Sequence, residues 1–494
     1  MRRFFLIAGA MMVLMIIPQT TVWAEDAEFT PAQMKQIRKM FEEWYSERQK
    51  MEKGAPAAPA AAPSPMATPP KEISSPAMGD TSKQSIRYGA DFSGGSGLQG
   101  GRTIYAKPFV KAPKTIIGGY IDFSLTRCSG GSRDCRNKLE FDQERFVPFF
   151  YSQVTDRLSV AGELEVEHGG PQGNKSDGDI KMEFATMDYR FNDAFNLRGG
   201  IILMPMGRFN LIHDSPLNDL PLRPMVSRLI LPSTFAESGL GFFGTFYPTT
   251  LSKIDYELYV VNGFQGDNGD FSVEEGSGLR SARGSFQKDN NENKAIVSRV
   301  SFSPMLGVEV AGSVHHGKWD KDDNHDLTLI AIDGNLQRGA FDIQGEAAWS
   351  NAEGNGTYTR RAGEPFFTQD TTGATRRQHV AQGDSSYIVP ENMFGYYVQL
   401  NYHFMPEALT KTFPSYFGRD STFTGTVRWG QVDTNTDDDA NPNRIDRLTL
   451  GINFRPLEDS VIKLAYTWNK HGKTSPAGSA TDRNGFQFNM STYF

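Results

Sequence analysis

Alternation of apolar and polar residues with a period of two runs through most of the chain beyond Ile116. The stretch LSVAGELEVEH, residues 158–168, places its leucines and valines on one face and its glutamates on the other. Successive side chains of a β-strand point to opposite faces, so this pattern predicts strands with one apolar and one polar side. The final segment, NGFQFNMSTYF, repeats the pattern and ends in Phe494, at a position where most chains fray.

Sixteen segments follow this pattern, with lengths that suit tilted membrane-spanning strands of about 9–11 residues. They lie at residues 116–126, 139–151, 158–168, 181–191, 196–206, 238–247, 253–263, 294–303, 306–317, 326–336, 341–351, 393–404, 423–432, 445–455, 461–469 and 485–494. Short turns alternate with long polar loops such as 264–293 and 352–392, which is the rhythm of an outer-membrane barrel. A soluble β-sandwich is the alternative, but its apolar faces would share a core and its loops would be shorter.

The sequence therefore predicts an all-β fold, a transmembrane antiparallel β-barrel of about 16 strands, with about 18 as the alternative number. Unpaired strand edges leave backbone groups unsatisfied in lipid, so the last strand should close the barrel against the first. The apolar side of the final segment, including Phe494, would then face lipid. An even number of strands places both ends of the barrel in the periplasm, together with the N-terminal segment.

The first 114 residues differ in composition from the rest. Residues 1–24 carry two arginines, an apolar run and the cleavage site Val22-Trp23-Ala24, which predicts a secretory signal peptide; a retained signal anchor is the alternative. Residues 25–54 predict a periplasmic amphipathic helix, which either forms a coiled coil between subunits or packs on its own protein. Residues 55–84 read as an Ala/Pro-rich linker, and residues 85–494 as the barrel, with 85–114 an unassigned lead-in.

Composition and motifs argue against several classes of function. The net charge of −7 argues against a nucleic-acid partner. The two cysteines, Cys128 and Cys135, lie in a Gly/Ser-rich segment, and no CxxCH motif occurs, so we expect a small loop disulfide and no attached c-type haem. Nothing resembles a nucleophile–base pair, a phosphate-binding glycine loop or a metal-ligand set. We therefore expect no enzyme activity, no metal and no cofactor.

Several segments carry a family resemblance: YVVNGF (259–264), SRVSFSPMLGVEVAGSVHHG (298–317), VRWGQVD (427–433), LTLGINFRPLEDSVIKLAYTW (448–468) and the terminal Phe494. Through them the chain resembles Gram-negative outer-membrane porins, and most of all the phosphate-selective porin O/P group. The resemblance implies a homotrimer of water-filled barrels in the cell outer membrane, in contact with lipid and lipopolysaccharide. It also implies that the barrel assembly machinery reads the C-terminal strand.

The polar sides of the predicted strands carry charges of both signs, whereas the phosphate-selective group lines its channel with basic residues. The candidates for the pore wall are Arg198, Arg299, Arg428, Arg447, Arg455, Lys463, Glu163 and Glu165. Because acids accompany the bases, specificity for phosphate is not carried over from the resemblance.

The segment 207–238, between the fifth and sixth strands, is too apolar for a loop in water. In porins the third outer loop folds inward and narrows the channel, so this segment is the predicted constriction. Its candidate residues are Arg208, His213, Asp214, Asp219, Arg223 and Arg228. These charges either set the field at the narrowing or pair with one another and hold the loop's shape. Gly200, Gly239 and Gly241 are predicted to leave room for the segment.

Three functions are compatible with these features. The leading one is a porin for passive diffusion of small hydrophilic solutes or ions, anions among them. The alternative is the barrel sheath of a porin–cytochrome electron conduit, with a multihaem cytochrome as partner. An outer-membrane enzyme is the third. Peptidoglycan is a further candidate partner, for the N-terminal helix.

Overall fold

The computed structural model describes residues 115–129, 139–171, 178–266, 273–284, 286, 289, 291–360, 365–366, 379–380, 385–418, 420–438, 443–472 and 484–494. The predicted signal peptide, N-terminal helix, linker and lead-in lie outside these residues, and so does Cys135. Those predictions, and the disulfide, therefore stay predictions.

Sixteen antiparallel strands close into a barrel, as the period-two pattern predicts. The barrel strands are β1 (Thr115–Ser129), β2 (Leu139–Gln153), β3 (Leu158–Glu167), β4 (Ile180–Arg190), β5 (Asn196–Leu203), β6 (Ala236–Phe246), β7 (Lys253–Val261), β8 (Ala295–Met305), β9 (Val308–Lys318), β10 (Asp326–Arg338), β11 (Phe341–Ala352), β16 (Asn392–Phe404), β17 (Thr422–Asp433), β18 (Arg444–Leu457), β19 (Ser460–His471) and β20 (Asn484–Tyr493). Each strand pairs with its neighbours in chain order, and β11 pairs with β16 because the strands between them lie in a loop. The fold class and the number 16 are thus confirmed; 18 is not.

The barrel closes where the C-terminus meets the first strand. β20 pairs with β1 from Tyr493 opposite Tyr120 to Asn484 opposite Ser129. Phe494 exchanges both backbone hydrogen bonds with Gly119, at 2.9 and 3.1 Å, and its ring stacks on Phe146 with the centroids 5.6 Å apart. The final aromatic is therefore part of the wall, and no strand edge of the barrel is left open.

The outer surface of the barrel is apolar and its interior is polar, the reverse of a soluble barrel. Along β20, Phe486 and Met490 are 38% and 45% exposed, whereas Asn489 and Ser491 are buried. Exposed aliphatic and aromatic side chains recur at every second position of the other strands, for example in β8 and β18. An outward apolar band of this kind is the lipid-facing surface of a transmembrane barrel.

Aromatic rings gather towards both ends of the barrel. Near one end lie Phe404, Phe423 and Phe454, with neighbouring centroids 5.9 and 4.8 Å apart. Near the other end, Tyr466 and Trp468 lie 4.6 Å apart. Such girdles mark the two membrane interfaces of outer-membrane barrels, because an amphipathic ring suits the headgroup level.

The connections at the two ends differ in length. At one end short turns join β2 to β3 and so on round the barrel; the longest of them, 405–421, contains helix α2 (Glu407–Thr412). At the other end run long loops, one of which holds two small hairpins formed by β12 (Gly356–Arg360) with β15 (Ser385–Val389) and β13 (Pro365–Phe366) with β14 (His379–Val380).

No helix in the described part of the chain is long and apolar enough to cross a membrane.

Two of the long loops contribute to an apolar core within the barrel. L3, residues 204–235, contains a single turn of helix, α1 (Val226–Leu229), and L4, residues 262–294, contains the 3-10 turn Arg280–Ala282. The buried apolar residues of the two loops pack with those of the wall; they include Met225, Val226, Leu229, Ile230, Phe264, Leu279, Ala282, Tyr397 and Val432. Burial in this core explains why L3 is apolar, although a loop that joins two strands at the end of a barrel would ordinarily contact water.

Candidate functional site

L3 enters the barrel beside Glu346 of β11. The carboxylate of Glu346 accepts hydrogen bonds from two separate parts of L3. The Phe209 backbone N–H donates to one oxygen at 2.9 Å, and the Ser227 hydroxyl donates to the other at 2.8 Å. Gly207 has a positive φ of 67°, and a Cβ there would lie 2.5 Å from the same carboxylate. Glycine is therefore needed at this turn both for its backbone conformation and for its close approach to Glu346.

The middle of L3 is fastened to the wall formed by β18, β19 and β20. Lys463 donates to the Ser215 carbonyl at 2.6 Å, and Arg455 donates to the Pro216 carbonyl at 2.7 Å. The Tyr493 hydroxyl donates to Asp214 at 2.7 Å. L3 therefore leaves the wall at β5, crosses the lumen and is held by the last strands of the barrel.

The two acids of the predicted constriction bind the wall. Asp219 accepts from Arg455 at 3.3 Å and also from Asn401 and Asn453, at 2.9 and 3.1 Å. Asp214 accepts from Tyr493. Each of these contacts joins L3 to a strand, and within L3 His213 Nε2 also lies 3.8 Å from Asp214 Oδ1, so the loop's charges pair both with the wall and with one another.

The other predicted constriction residues have distinct partners. Arg208 donates to Gln344 at 2.5 Å, and His213 Nε2 lies 2.9 Å from a carboxylate oxygen of Glu183. Arg223 donates to the Ser233 carbonyl at 3.3 Å and is partly exposed, whereas Arg228 is buried. Of the three arginines, Arg223 is the one that reaches accessible space in the lumen.

Most of the predicted wall bases are buried and engaged. Arg198 forms two hydrogen bonds with Asp188, at 2.7 and 2.8 Å, and Arg299 forms two with Asp333, at 2.5 and 2.8 Å. Two others have uncharged partners: Arg428 donates to the Leu222 carbonyl at 2.5 Å, and Arg447 donates to Asn469 at 2.7 Å. These side chains lie on the inner face, but their contacts hold the wall and L3 together.

Four arginines from two loops converge beside the lumen. Arg223 and Arg280 both donate to the Ser233 carbonyl, at 3.3 and 2.6 Å, and Arg283 donates to the Thr234 carbonyl at 3.0 Å. With Arg228 they form what we call the arginine cluster: Arg223, Arg228, Arg280 and Arg283. A carbonyl oxygen carries only a partial negative charge, so these three hydrogen bonds do not by themselves neutralise the arginines.

The electrostatics of the two L4 members show how close these charges are. Burial lowers the pKa of Arg280, and Arg283, Arg228 and Arg223 lower it further. Burial lowers the pKa of Arg283 to about 10; Glu167 opposes this shift and Arg223 adds to it. With a pKa of about 10, the guanidinium of Arg283 remains charged at neutral pH. The Nε of Arg280 is also buried without a hydrogen-bond partner among the described residues.

The wall that faces the arginine cluster carries alternating acids and bases from β2, β3 and β4. Arg145 contacts Glu165 at 2.9 Å, and Lys181 contacts Glu165 at 2.7 Å and Glu167 at 3.1 Å. Glu167 interacts electrostatically with both Arg280 and Arg283. The lumen therefore lies between a positive loop surface and a wall of mixed charge.

The glycines that make room for L3 are not those expected. An added Cβ at Gly200, Gly239 or Gly241 would overlap the backbone of a neighbouring strand, so these glycines serve strand packing. Gly451 and Gly395 face the loop instead: a Cβ at Gly451 would overlap Leu220, and one at Gly395 would lie 3.1 Å from Ile230. The sequence pattern predicted space for L3 beside the strands that it connects, β5 and β6. In the structure L3 packs against the opposite wall instead.

Arg280 and Arg283 were not predicted from the sequence. They lie in L4, a polar loop whose sequence carries no sign that it folds inward, and only their contact with L3 brings them to the lumen. The segment that begins at Gly207, in contrast, could be singled out from the sequence because its apolar residues indicate burial.

Comparison with known proteins adds little about function. No family model matches the chain. An uncharacterized protein of Aquifex aeolicus (strain VF5) is 27% identical over 264 residues, a match that covers 53% of this chain and 56% of that protein. The chain thus spans just over half the length of this relative.

Solved structures of similar architecture include several porins. The anion-selective porin from Comamonas acidovorans has 12% identity and a TM-score of 0.46 over 77% of this chain and 99% of its own. The outer membrane channel DcaP of Acinetobacter baumannii has 11% identity and a TM-score of 0.45, over 77% and 97%. Salmonella typhi OmpF, in complex with daunomycin, has 9% identity and a TM-score of 0.48, over 77% and 97%. The resemblance to the phosphate-selective porin O/P group stays a prediction.

Proposed function

We propose that this protein is an outer-membrane porin, a water-filled channel through which small hydrophilic solutes and ions diffuse passively, with a preference for anions. One observation carries the proposal: L3 crosses the lumen of a closed, lipid-facing barrel and is fastened to the opposite wall by Lys463, Arg455 and Tyr493. A loop held in this way narrows a lumen without closing the barrel itself. Narrowing sets the size of solute and brings fixed charges close to its path.

The preference for anions rests on the arginine cluster. The cluster brings four guanidinium groups together, and two of them, Arg223 and Arg283, are partly exposed. The acids on the facing wall are better compensated, because Glu165 and Glu167 share Arg145 and Lys181. A net positive potential along the path raises the local concentration of anions.

Planar-bilayer recording of the purified full-length protein tests this proposal. We expect stepwise increases of current in KCl and, under a salt gradient, a reversal potential on the anion side. Heat-denatured protein from the same preparation is the control for contaminating channels. Absence of steps from folded protein would refute the channel, and a reversal potential on the cation side would refute the preference.

We also propose that the porin is a non-enzymatic homotrimer, assembled by the barrel machinery, with its N-terminal segment in the periplasm. The amphipathic pattern of residues 25–54 supports a seam between subunits. Deletion of residues 25–76 should then lower the resistance of the trimer to heat and detergent. A deletion variant as resistant as the wild type would assign the segment another role, such as contact with peptidoglycan.

The electron-conduit sheath receives less support. L3 and L4 form an apolar core with the wall in the described part of the lumen, in the space that a cytochrome within the barrel would occupy. Haem that co-purifies with the protein, detected by its absorbance, would restore this alternative.

A further inference from the structure

A histidine and three carboxylates are buried together where L3 meets β3 and β4. Glu163 lies on β3, Glu183 on β4, and His213 and Asp214 on L3. Their exposed fractions are 1%, 1%, 5% and 3%. Asp214 also accepts a hydrogen bond from Tyr493 of β20, whereas none of the contacts that fasten L3 to β18 and β19 involves Glu163, Glu183 or His213.

The geometry of the cluster suits metal coordination. Donor atoms of Glu163, His213 and Asp214 all lie within 4.8 Å of one another. His213 Nδ1 lies 2.8 Å from the Asn210 carbonyl, to which it donates its proton, so Nε2 is directed at the carboxylates. A ring nitrogen fixed by a backbone carbonyl, with the other nitrogen turned to the ligand, is the usual arrangement of a metal-binding histidine.

The cluster also offers a buried carboxylate oxygen to a cation. Three carboxylates surround one imidazole, and the nearby bases Arg145 and Lys181 are engaged by Glu165. Glu183 Oε2 lies against His213, while its Oε1 is buried without a hydrogen-bond partner among the described residues. A buried carboxylate oxygen without a hydrogen-bond partner is unfavourable, and a divalent cation would supply Glu183 Oε1 with one.

We propose that Glu163, His213 and Asp214 bind a divalent transition-metal ion of the zinc class, with Glu183 as a further carboxylate ligand. A donor set of one imidazole and several carboxylates suits zinc and its neighbours better than calcium or magnesium, which take oxygen alone. Metal–ligand bonds of about 2.0–2.2 Å place tetrahedral donors roughly 3.4 Å apart, so donors now within 4.8 Å of one another draw together by up to about 1.4 Å on binding. The ion joins L3 to β3 and β4.

Zinc titration by isothermal calorimetry of the chelator-treated, untagged full-length protein tests the site. We expect one saturable site per chain. His213→Ala and Glu163→Gln should each weaken zinc binding on the order of 100-fold, at least as much as the loss of a ligand's supporting hydrogen bond. Glu237→Gln is the matched control: Glu237 is a buried acid 3.7 Å from another buried histidine, His315, and is not part of the proposed donor set. It should bind zinc as the wild type does.

Heat-modifiable electrophoretic mobility reports whether each variant folds. The isosteric Glu163→Gln decides the matter if His213→Ala fails to fold. Absence of saturable zinc binding to the wild type, or wild-type affinity in folded Glu163→Gln, would overturn the proposal. In the second case the zinc is bound elsewhere.

Discussion

Lys463 on β19 donates a hydrogen bond of 2.6 Å to the backbone carbonyl of Ser215, near the middle of L3. A second bond, of 2.9 Å, runs from the same ammonium to the Ser215 hydroxyl. Both groups are buried, so the ammonium of Lys463 holds the loop and does not face the path of solutes. A wall base of this kind affects the channel through the position of L3.

Lys463→Met should therefore loosen L3. A hydrogen bond to a charged group contributes about 1.5–3 kcal/mol, and its loss raises the population of detached loop roughly 10- to 100-fold. We expect noisier open-channel current and a larger mean conductance in bilayer recordings. Lys470→Met, an exposed lysine on the same strand, is the control and should leave both unchanged. Quiet, wild-type current from Lys463→Met would show that the remaining contacts hold the loop without it.

Phe494→Ala should reduce the amount of protein in the outer membrane more than it changes conductance. The substitution removes the stack on Phe146 and costs about 2 kcal/mol of apolar burial, which a closed barrel can tolerate. The resemblance to porins implies that the terminal aromatic is also read during assembly. Phe486→Ala removes a ring from the lipid face at the other end of β20 and is the matched control. Equal surface abundance of the two variants would argue against a special role for the terminus.

His168, which follows β3, should remain protonated well above neutral pH. Its hydrogen bond with Asp142, at 2.7 Å, raises its pKa from 6.5 to about 9. Because the folded pKa lies above the unfolded one, this contact stabilises the fold fully below about pH 6.5, and the stabilisation is lost as the pH rises through about 9. NMR titration of ring-labelled histidine checks the value. Asp142→Asn should return the pKa towards 6.5; a wild-type value near 6.5 would contradict the ion pair.

The barrel could be predicted from sequence because its cause is local. Each strand alternates on its own, and every predicted boundary lies within three residues of the observed one. The closure by Phe494 followed from the same pattern and the cost of open edges in lipid. The two hairpins, β12 with β15 and β13 with β14, were missed because strands of two to five residues in a polar loop carry no periodic signal.

The site was harder to predict because contacts distant in sequence build it. The composition of L3 indicated that the loop is buried, but not which part of the wall it contacts. Its partners Lys463 and Arg455 were therefore predicted to line the pore. Arg280 and Arg283 lie about fifty residues from Ser233 and Thr234, the residues whose carbonyls they bind. The side chains around His213 come from three separate segments, β3, β4 and L3, and no spacing in the chain reveals that they meet.

The central claim is that the solute path runs beside the arginine cluster. In a dielectric of about 20, a charge about 10 Å from an ion contributes roughly 1.7 kcal/mol, enough to change a permeability ratio several-fold. Replacing Arg223 and Arg283 by Gln removes the two partly exposed charges of the cluster. Arg338 is exposed at the end of β10, and Arg444, at the start of β18, is partly exposed and paired with Asp446 at 3.1 Å. Replacing both removes the same charge from positions that solvent and a carboxylate screen.

The most direct measurement is the reversal potential of single channels in a planar bilayer under a KCl gradient, for the wild type and both double variants. We predict that Arg223→Gln with Arg283→Gln shifts the ratio of chloride to potassium permeability towards potassium by at least about threefold. Arg338→Gln with Arg444→Gln should shift it much less. Equal shifts from the two pairs, or none from the cluster pair, would contradict the account.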